Sequence, residues 1–483
     1  MKPPVSTTKP SATVIPIVPA AVDDEAMVSL YAASQKIHPR SVSGVFSNWR
    51  WLMVWITQIV FYGLPWLEWN ARQAVLFDLE VRRFYIFSLV LYPQDFIYLT
   101  GLLVISALSL FLFTAVAGRL WCGFACPQTV YTEIFLWIEK KVEGDRSARL
   151  RLDAANMSAA KLGKRVLKQV LWIAFALWTG FTFVGYFTPI RELAALSLAA
   201  SLGPWQTFWV FFYGFATYGN AGFLREQVCK YMCPYARFQS AMFDKDTMIV
   251  TYDEKRGEPR GPRSKKADPV ALGLGSCIDC TMCVQVCPTG IDIRKGLQYE
   301  CIGCAACVDV CDDVMDKVGY PRGLIKFSTQ NGMQQGWDTK QMLKRAMRPR
   351  VLVYSAILLT ITTAVGVSLY MRTPLRVDVM RDRGSMARMV EQGRIENVYR
   401  LQIMNATEET QRYAISVSGL PGITLDPVTE VEVLPTEVRS AAVRVQIPPG
   451  TASTGSHPIQ FEIRSTGDEV ARVTEKAAFL VPR

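Results

Sequence analysis

The sequence predicts an α-helical membrane protein that carries an inserted cysteine-rich domain and a C-terminal β-sandwich. Three features point to this fold class: five uncharged apolar runs, a tandem array of eight cysteines between the fourth and fifth runs, and short alternating segments after residue 375. The composition agrees, because 50% of the residues are hydrophobic and only 20% are charged, against roughly 25% charged in an average soluble chain.

The first 44 residues are rich in Pro, Ser, Thr and Ala, which predicts a flexible N-terminal tail, residues 1–44. The mildly apolar stretch 12–22 is a rival candidate for the core of a cleaved signal peptide. Pro16 and Pro19 interrupt that stretch, and acidic residues follow it directly. A tail is therefore the favoured interpretation.

Four apolar runs lie in residues 45–245 and predict four transmembrane helices, and the fifth run, 351–371, predicts one more. Each run is close to the roughly 20 residues that cross a bilayer, and Trp and Tyr gather at the run ends, as they do at membrane interfaces. The first run is the least regular because it contains Gln58 and Pro65. The predicted spans are Trp51–Leu67, Phe96–Ala117, Val170–Phe187, Trp205–Leu224 and Val351–Met371.

The positions of Lys and Arg set the predicted orientation. Residues 225–350 hold twenty of them and residues 138–168 hold nine, whereas the loop 188–204 holds only Arg191. The positive-inside rule therefore predicts that the N-terminus and both basic loops are cytoplasmic and that 372–483 lies on the outer side of the membrane. This topology accounts for the net charge of +11, so no nucleic-acid partner is expected.

The histidine count excludes two kinds of haem site. His38 and His457 are the two histidines of the chain, neither lies in an apolar run, and no cysteine is followed by His. A bis-His haem within the membrane and a c-type haem attachment site are therefore excluded. Both histidines are expected at the surface.

Residues 246–350 are predicted to form a cytoplasmic ferredoxin-type domain with two [4Fe–4S] clusters. Two CxxCxxCxxxC runs follow each other with the bacterial two-cluster spacing, in which the fourth cysteine of each run ligates the other cluster. The second run has Asp312 where the first has Pro288. A pair of zinc sites is the alternative, and the tandem spacing argues against it. The expected ligand sets are Cys277, Cys280, Cys283 and Cys311 for one cluster, and Cys301, Cys304, Cys307 and Cys287 for the other.

A second cysteine motif, CxxxCP, occurs twice, as Cys122-Gly-Phe-Ala-Cys126-Pro127 and Cys229-Lys-Tyr-Met-Cys233-Pro234. Proline disfavours helical geometry in the residue before it, so each pair is expected at a helix end or turn. Both motifs follow an apolar run at the predicted cytoplasmic face, which allows the four sulfurs to converge. Soft thiolates bind Cu(I), zinc or iron–sulfur clusters. We expect a catalytic, copper-binding set of Cys122, Cys126, Cys229 and Cys233.

Three other roles for these four cysteines stay open at the level of sequence. They are a dithiol/disulfide relay, a further iron–sulfur cluster, and small buried side chains without chemistry. Glu133 follows the first motif closely and is a candidate proton or metal partner.

Residues 372–483 are predicted to form a β-sandwich. Short segments of alternating apolar and polar residues are separated by turn signals at 419–422 and 448–450, a spacing typical of sandwich domains. The segment contains no cysteine, so it lacks the intersheet disulfide of antibody domains.

Several long motifs resemble one family, the cytochrome c oxidase accessory proteins called CcoG, FixG or RdxA. The segment 121–137, WCGFACPQTVYTEIFLW, resembles the family's first signature, and 231–244, YMCPYARFQSAMFD, resembles its second. The segments 287–294 and 296–304 resemble its ferredoxin portion. The resemblance covers about residues 30–483 and includes the C-terminal domain, for which it implies an immunoglobulin-like fold.

The resemblance implies a role in the maturation of cbb3-type cytochrome c oxidase. Members of the family are thought to reduce Cu(II) to Cu(I) for the oxidase copper site, so this chain is expected to be a cupric reductase whose partners are oxidase subunits or copper chaperones. The expected route runs from a cytoplasmic or quinol donor, through both clusters, to copper at the CxxxCP cysteines. A quinol dehydrogenase that only relays electrons, and a non-catalytic assembly scaffold, are the alternative functions.

Overall fold

The computed structural model describes residues 36–264, 271–382, 387–426, 430–467 and 471–482. Most of the predicted tail, including Pro16 and Pro19, lies outside the described residues. The described end of that tail, residues 38–44, has no regular secondary structure but is held by contacts. Ser41, for example, bonds through both its backbone amide and its hydroxyl to the carboxylate of Asp145, at 3.0 and 3.1 Å.

The first half of the chain is mainly helical. The long helices alternate with short ones, and the helical segments after residue 217 include π-helical turns. The α-helices are α1 Val45–Gly63, α2 Phe96–Ala117, α3 Leu120–Phe124, α4 Pro127–Glu143, α5 Arg146–Ala154, α6 Ala159–Val184, α7 Ile190–Leu198, α8 Pro204–Thr217 and α9 Pro234–Met242. The π-helical turns are Tyr218–Leu224 and Val228–Met232. Between α1 and α2 lie the strands β1 Glu68–Trp69, β2 Arg72–Gln73, β3 Val75–Asp78, β4 Arg83–Ile86 and β5 Leu89–Leu91.

Within the described residues, three helical stretches are long and apolar enough to cross a membrane: Pro93–Ala117, Ala159–Val184 and Pro349–Tyr370. They correspond to the second, third and fifth predicted spans. The predicted number of five transmembrane helices is therefore not confirmed. The chain nevertheless carries several membrane-competent helices, as its composition predicts.

The other two predicted spans differ from simple transmembrane helices for local reasons. Helix α1 covers the first span, but its first two turns contain Asn48 and the buried Arg50, which lower its hydropathy. The fourth span is split, because α8 ends at Thr217 and a π-helical turn continues to Leu224. Close packing of α8 on α6 is possible because Gly214 of α8 and Gly180 of α6 lack side chains at the contact.

The cysteine-rich region is a small α/β unit. A two-stranded antiparallel sheet pairs its beginning with its end, and the two cysteine runs lie between these strands. Its elements are β6 Ile249–Tyr252, α10 Glu254–Gly257, α11 Met282–Gln285, α12 Ala306–Val318, β7 Ile325–Ser328, α13 Gln330–Gln335 and α14 Thr339–Ala346, and the apolar helix α15 Pro349–Tyr370 follows.

The C-terminal segment is a β-sandwich, which confirms the prediction. Two antiparallel sheets have the strand orders β12-β14-β10-β8, with β9 paired to β10, and β13-β11-β15-β16. Inward residues such as Tyr399 and Phe461 alternate with outward ones, as the sequence pattern requires. The strands are β8 Leu375–Arg381, β9 Arg388–Met389, β10 Ile395–Asn405, β11 Gln411–Ser418, β12 Thr424–Asp426, β13 Glu430–Val433, β14 Val438–Ile447, β15 Gly455–Ser465 and β16 Arg472–Val481.

The strands between α1 and α2 pack against this sandwich. Tyr92 donates a hydrogen bond of 2.8 Å to the carbonyl of Asn405, and Asp95 pairs with Arg372 at 2.6 Å and with Arg376 at 2.9 Å. The segment 68–95 and the sandwich therefore lie at the same end of the helices.

Candidate metal centres

The two CxxCxxC runs have the same backbone shape. In the first run Asp279 and Thr281 have positive φ, and in the second run Gly303 and Ala305 occupy the equivalent positions with positive φ. Successive residues that alternate between right- and left-handed conformations turn their amide groups toward a common concave side, which suits an anionic group. Each run therefore forms a cradle of amides and thiols, and the two cradles are repeats of one another.

The fourth cysteine of each run is placed differently. In the first run the helix α11 ends at Gln285, and Cys287 and Pro288 follow in a turn. In the second run α12 continues to Val318, so Cys311 and Asp312 lie within the helix. Asp312 does not make the turn that proline makes in the first run; its carboxylate instead accepts a 2.9 Å hydrogen bond from the backbone amide of Gly323.

Two small cavities are lined by the two cysteine sets that the spacing predicts. The first is bordered by Cys277, Cys280, Cys283 and Cys311, and the second by Cys287, Cys301, Cys304 and Cys307 together with Cys283. Both are otherwise lined mainly by apolar side chains, among them Ile278 and Leu324 around the first and Ile291 and Ile302 around the second. Four thiols in a cavity with apolar walls suit an iron–sulfur cluster, so the residues present fit that cofactor.

A positive side chain stands beside the first cysteine set, which we call set 1. Arg294 borders the cavity of set 1 and is 8% exposed. Its guanidinium makes a fork with Asp292, with two contacts of 2.8 Å, and it also contacts Asp279. The hydrogen bonds from Arg294 lower the pKa of the Asp292 carboxyl. The salt bridge holds a cation next to Cys283, where negative charge would accumulate on reduction.

The two CxxxCP motifs have matching local geometry. Cys122 lies in α3, whereas Cys126 is extended (φ −60°, ψ 130°) just before α4. Cys229 lies in the second π-helical turn, whereas Cys233 is extended (φ −79°, ψ 110°) just before α9. The proline after each second cysteine begins the following helix, so both pairs lie at helix ends, as predicted.

The four CxxxCP thiols lie in one part of the structure. Cys229 lies near enough to Cys122, Cys126 and Cys233 for their charges to interact. Cys126 is similarly near Cys233. A hydrogen bond of 2.9 Å from Gln128 to the carbonyl of Asn220 helps to hold α4 against the π-helical segment that precedes Cys229.

The CxxxCP thiols adjoin the second cysteine set, which we call set 2 (Cys287, Cys301, Cys304 and Cys307). A β-carbon at Gly123 would lie only 2.8 Å from the backbone of Cys304, so the first motif rests directly on this set. Arg119 reinforces the contact, because its guanidinium donates to the carbonyls of Tyr299 and Cys301 and to that of Ala236 in α9. Cys122 and Cys229 pack in the same apolar cluster as Cys304.

Burial raises the pKa of many of these thiols. In set 1 the pKa of Cys283 rises to about 11 and that of Cys311 to about 12. The pKa of Cys301 rises to about 12 in set 2. Burial likewise raises the pKa of Cys122 to about 11 and that of Cys229 to about 12. These thiols are therefore protonated at neutral pH in the metal-free chain, and a metal must displace their protons.

Among the described residues, no three or more His, Cys, Asp or Glu side chains stand close enough to hold a single metal ion. This applies to both ferredoxin-type sets, whose expected clusters are larger than one ion, and equally to the CxxxCP set. The four CxxxCP thiols are therefore not arranged as a preformed mononuclear copper site.

The sequence does not predict a buried network of ion pairs around Glu139. Glu139 of α4 is fully buried and accepts from Arg149 at 2.9 Å, Lys168 at 3.5 Å and Arg225 at 3.1 Å. Its partners are 10 to 86 residues away in sequence, so no local sequence pattern predicts these contacts.

The surroundings of Glu133 and of the two histidines are also defined. Glu133 lies 3.7 Å from Arg50 and interacts with Cys304 of set 2. His38 is expected at the surface, but its side chain is only 8% exposed, because it packs 3.1 Å from Asp153. His457 is partly exposed and bonds to the carbonyl of Ser453.

Comparison with known families agrees with this arrangement. Residues 224–330 match the family described as a 4Fe-4S dicluster domain, and residues 99–143 match one described as a 4Fe-4S binding domain. Residues 365–482 match the family described as the Ig-like fold at the C-terminus of FixG, putative oxidoreductase. The ferredoxin-type and immunoglobulin-like expectations are therefore confirmed at the level of the domain, while the matches do not assign individual ligands.

Full-length relatives extend the likeness to most of the chain. Protein RdxB of Cereibacter sphaeroides is 39% identical over 88% of this chain and 91% of its own length. The nitrogen fixation protein FixG of Rhizobium meliloti is 37% identical over 82% of each chain. A more distant relative, the methylamine utilization ferredoxin-type protein MauN of Methylobacillus flagellatus, is 23% identical over 35% of this chain and 48% of its own.

Proposed function

The chain belongs to the FixG/RdxA family, and from that premise we propose that it acts in the assembly of cbb3-type cytochrome c oxidase by reducing Cu(II) to Cu(I) for the oxidase copper site. The observation that carries the proposal is the packing of the CxxxCP thiols on set 2 through Gly123. An electron-transfer group held by set 2 would thus be next to the thiols that bind the acceptor.

Two [4Fe–4S] clusters would be held by the two cysteine sets described above. Set 1 is Cys277, Cys280, Cys283 and Cys311, and set 2 is Cys287, Cys301, Cys304 and Cys307. Such clusters supply one-electron transfer. The chain's own contribution is the charge around them: Arg294 stands beside set 1, and Arg50 interacts with Cys304 of set 2.

Copper enters the proposal as the substrate of the CxxxCP cysteines. Each Cu(II) takes one electron to become Cu(I), and a soft thiolate set retains the Cu(I) product. Because the four thiols are not preformed around one ion, binding has to draw them inward and expel their protons. The π-helical turn that carries Cys229 is a segment where such adjustment is expected.

The proposed topology places both cysteine systems in the cytoplasm and the sandwich in the periplasm. Its support is the Lys/Arg asymmetry together with the packing of segment 68–95 on the sandwich, which puts two predicted periplasmic parts side by side. Oxidase subunits or a copper chaperone are the proposed partners.

A second candidate function is electron relay without copper chemistry, with a third cluster in the CxxxCP set. The match of residues 99–143 to a 4Fe-4S binding domain favours it, since this segment contains Cys122 and Cys126 but none of the ferredoxin-type cysteines. The likeness to the ferredoxin-type protein MauN points the same way.

Metal analysis and copper titration of anaerobically purified protein separate the two functions. The copper reductase should contain about eight iron and eight sulfide, bind Cu(I), and reduce Cu(II) after reduction by dithionite. About twelve iron and no copper binding would overturn the proposal in favour of the relay.

Reciprocal cysteine variants serve as each other's controls. Cys126→Ser and Cys233→Ser should lose Cu(I) binding while keeping the visible iron–sulfur absorption, because serine cannot replace a thiolate ligand. Cys280→Ser should keep copper binding and lose part of that absorption. Unchanged copper affinity in Cys126→Ser would place the copper site elsewhere. An oxidase that assembles normally with each of these variants would identify the chain as a scaffold.

A further inference from the structure

A large cavity lies between helices α1, α4 and α6 and set 2. Its volume is about 760 Å³, within the ~300–1,000 Å³ typical of small-molecule sites. Aromatic and aliphatic side chains form most of its wall, and its polar lining includes Arg50, Gln58, Tyr62 and Glu133. Within the described part of the chain, no cysteine lines this cavity, so it is separate from the metal centres described above.

The cavity opens on the flank of the helices. Trp55 and Trp178 both line it and remain 62% and 44% exposed. Trp178 belongs to α6, one of the helices suited to cross a membrane. The exposed indole rings make the rim of the cavity apolar, which suits a lipid-soluble ligand.

One buried hydrogen-bond acceptor in the cavity is unsatisfied. The Gln58 side chain interacts with the Tyr131 hydroxyl, but its amide oxygen is buried and has no hydrogen-bond partner among the residues that the structure describes. Tyr62, one turn further along α1, is already bonded to Thr179 at 2.7 Å. A buried amide oxygen without a partner is unfavourable, and a ligand hydroxyl group would satisfy it.

The inner wall of the cavity is formed by the loops of set 2. Val286, Pro288 and Ala306 line it; Pro288 directly follows Cys287, and Ala306 directly precedes Cys307. Arg50 connects the two regions, since it pairs with Glu133 at 3.7 Å and also interacts with Cys304. A ligand here is thus placed against a redox centre and beside a carboxylate.

We propose that this cavity binds the ring of a membrane quinol, which is the electron donor of the chain; this deepens the proposed function and rests on its electron-transfer role. Gln58 accepts a hydrogen bond from a quinol hydroxyl, and Glu133, paired with Arg50 at 3.7 Å, lies in the same cavity. Oxidation of one quinol to quinone releases two protons, which pass to water, and two electrons; the group held by set 2 takes the electrons one at a time and passes each to a Cu(II), so one quinol reduces two Cu(II) to Cu(I).

The proposal makes a specific binding prediction. Gln58 offers an acceptor, and a quinol hydroxyl is a donor whereas a quinone carbonyl is not, so the cavity prefers the quinol. Full-length protein reduced with dithionite cannot oxidise the ligand, and equilibrium dialysis then measures binding alone. Decylubiquinol should bind, and Gln58→Leu should weaken its binding at least tenfold.

Two controls define the site. Thr57→Val alters the neighbouring residue of α1, whose hydroxyl bonds to carbonyls of its own helix, and should leave binding within twofold of the unaltered protein. Decylbenzene has the same tail and a similar ring but no oxygen, and should not compete. Equal competition by decylbenzene, or unchanged binding in Gln58→Leu, would identify a lipid cavity and overturn the proposal.

A variant that fails to fold does not leave the question open, because photolabelling needs no substitution. A quinol with a diazirine in its tail should label peptides from α1, α4 or α6 of the unaltered protein, and labelling confined to other segments would refute the site. Copper reduction is measured on the same preparation with protein that was reduced by dithionite and then freed of the excess, because dithionite itself reduces Cu(II). If it succeeds while quinol does not bind, only the quinol site fails; if quinol binds and copper is not reduced, the reductase function fails.

Discussion

Replacing Gly123 by alanine should separate the CxxxCP thiols from set 2. The new β-carbon would lie 2.8 Å from the backbone of Cys304 and of Gly303, whereas ordinary van der Waals contact begins at 3.4 Å. The opposing atoms are backbone, so no side-chain rotation relieves the overlap. One of the two loops has to retreat by several tenths of an ångström.

The expected cost follows from overpacking in a tight interior, about 1–3 kcal/mol. The assay is the thermal loss of visible iron–sulfur absorption, whose midpoint should fall by several degrees in Gly123→Ala. Gly163→Ala is the matched control, since Gly163 lies in helix α6 where an added β-carbon would meet no neighbouring group within 4 Å, and alanine there should stabilise the helix by about 0.4–1 kcal/mol. If Gly123→Ala melts at the temperature of the unaltered protein, the contact between the two cysteine systems does not exist as described.

Three further predictions concern charge, protons and topology. Arg294→Gln should lower the reduction potential of one cluster by roughly tens of millivolts, because a cation beside Cys283 is lost; Arg322→Gln, which removes a surface pair with Asp316, should leave both potentials unchanged in a redox titration. Cluster reconstitution of the metal-free protein should become more complete from pH 7 to pH 9, since burial raises the pKa of Cys301 and Cys311 to about 12 and their protons must leave; yields that fall with pH would refute this. A reporter after Arg483 should be active outside the cytoplasm and one inserted at Gly261 inside, and both on one side would mean that a span has been miscounted.

The parts of the molecule that the sequence predicts well are those set by local spacing. The ferredoxin-type runs need only two or three residues between successive ligands, and Pro127 and Pro234 hold the cysteine before them in extended geometry. The sandwich follows from alternation along each strand, although this pattern does not indicate β8 or the strands of segment 68–95.

The parts that escape prediction depend on contacts between distant residues. Asp309 illustrates this: its carboxylate accepts from the backbone amides of Phe46 and Ser47 at 3.1 and 2.7 Å and so caps α1 from 263 and 262 residues away. Arg50 similarly appears in sequence as a charge flanking an apolar run, but it is buried beside Glu133 and Cys304. The cavity that Gln58 lines exists only once three helices have packed.

The arrangement places set 2 at a junction. The cavity touches it through Val286, Pro288 and Ala306, and the CxxxCP motif touches it through Gly123. Set 1 takes part in neither of these contacts, and its Cys280 is exposed on the outer side of the domain. For the donor proposed in the cavity, these contacts predict a path to the CxxxCP thiols through set 2 alone, in place of the route through both clusters that the resemblance implies.

This geometry predicts unequal effects of two cysteine variants on copper reduction driven by decylubiquinol. Cys277→Ser disables set 1, which the direct path does not use, and should retain at least half of the initial rate. Cys301→Ser disables set 2 and should abolish the reaction. The measurement is the initial rate of Cu(I) formation under anaerobic conditions, with the iron content of each variant determined to show that only one set has been lost. Equal loss in the two variants would mean that both sets work in series, and the cavity would then not be the place where the reductant delivers its electrons.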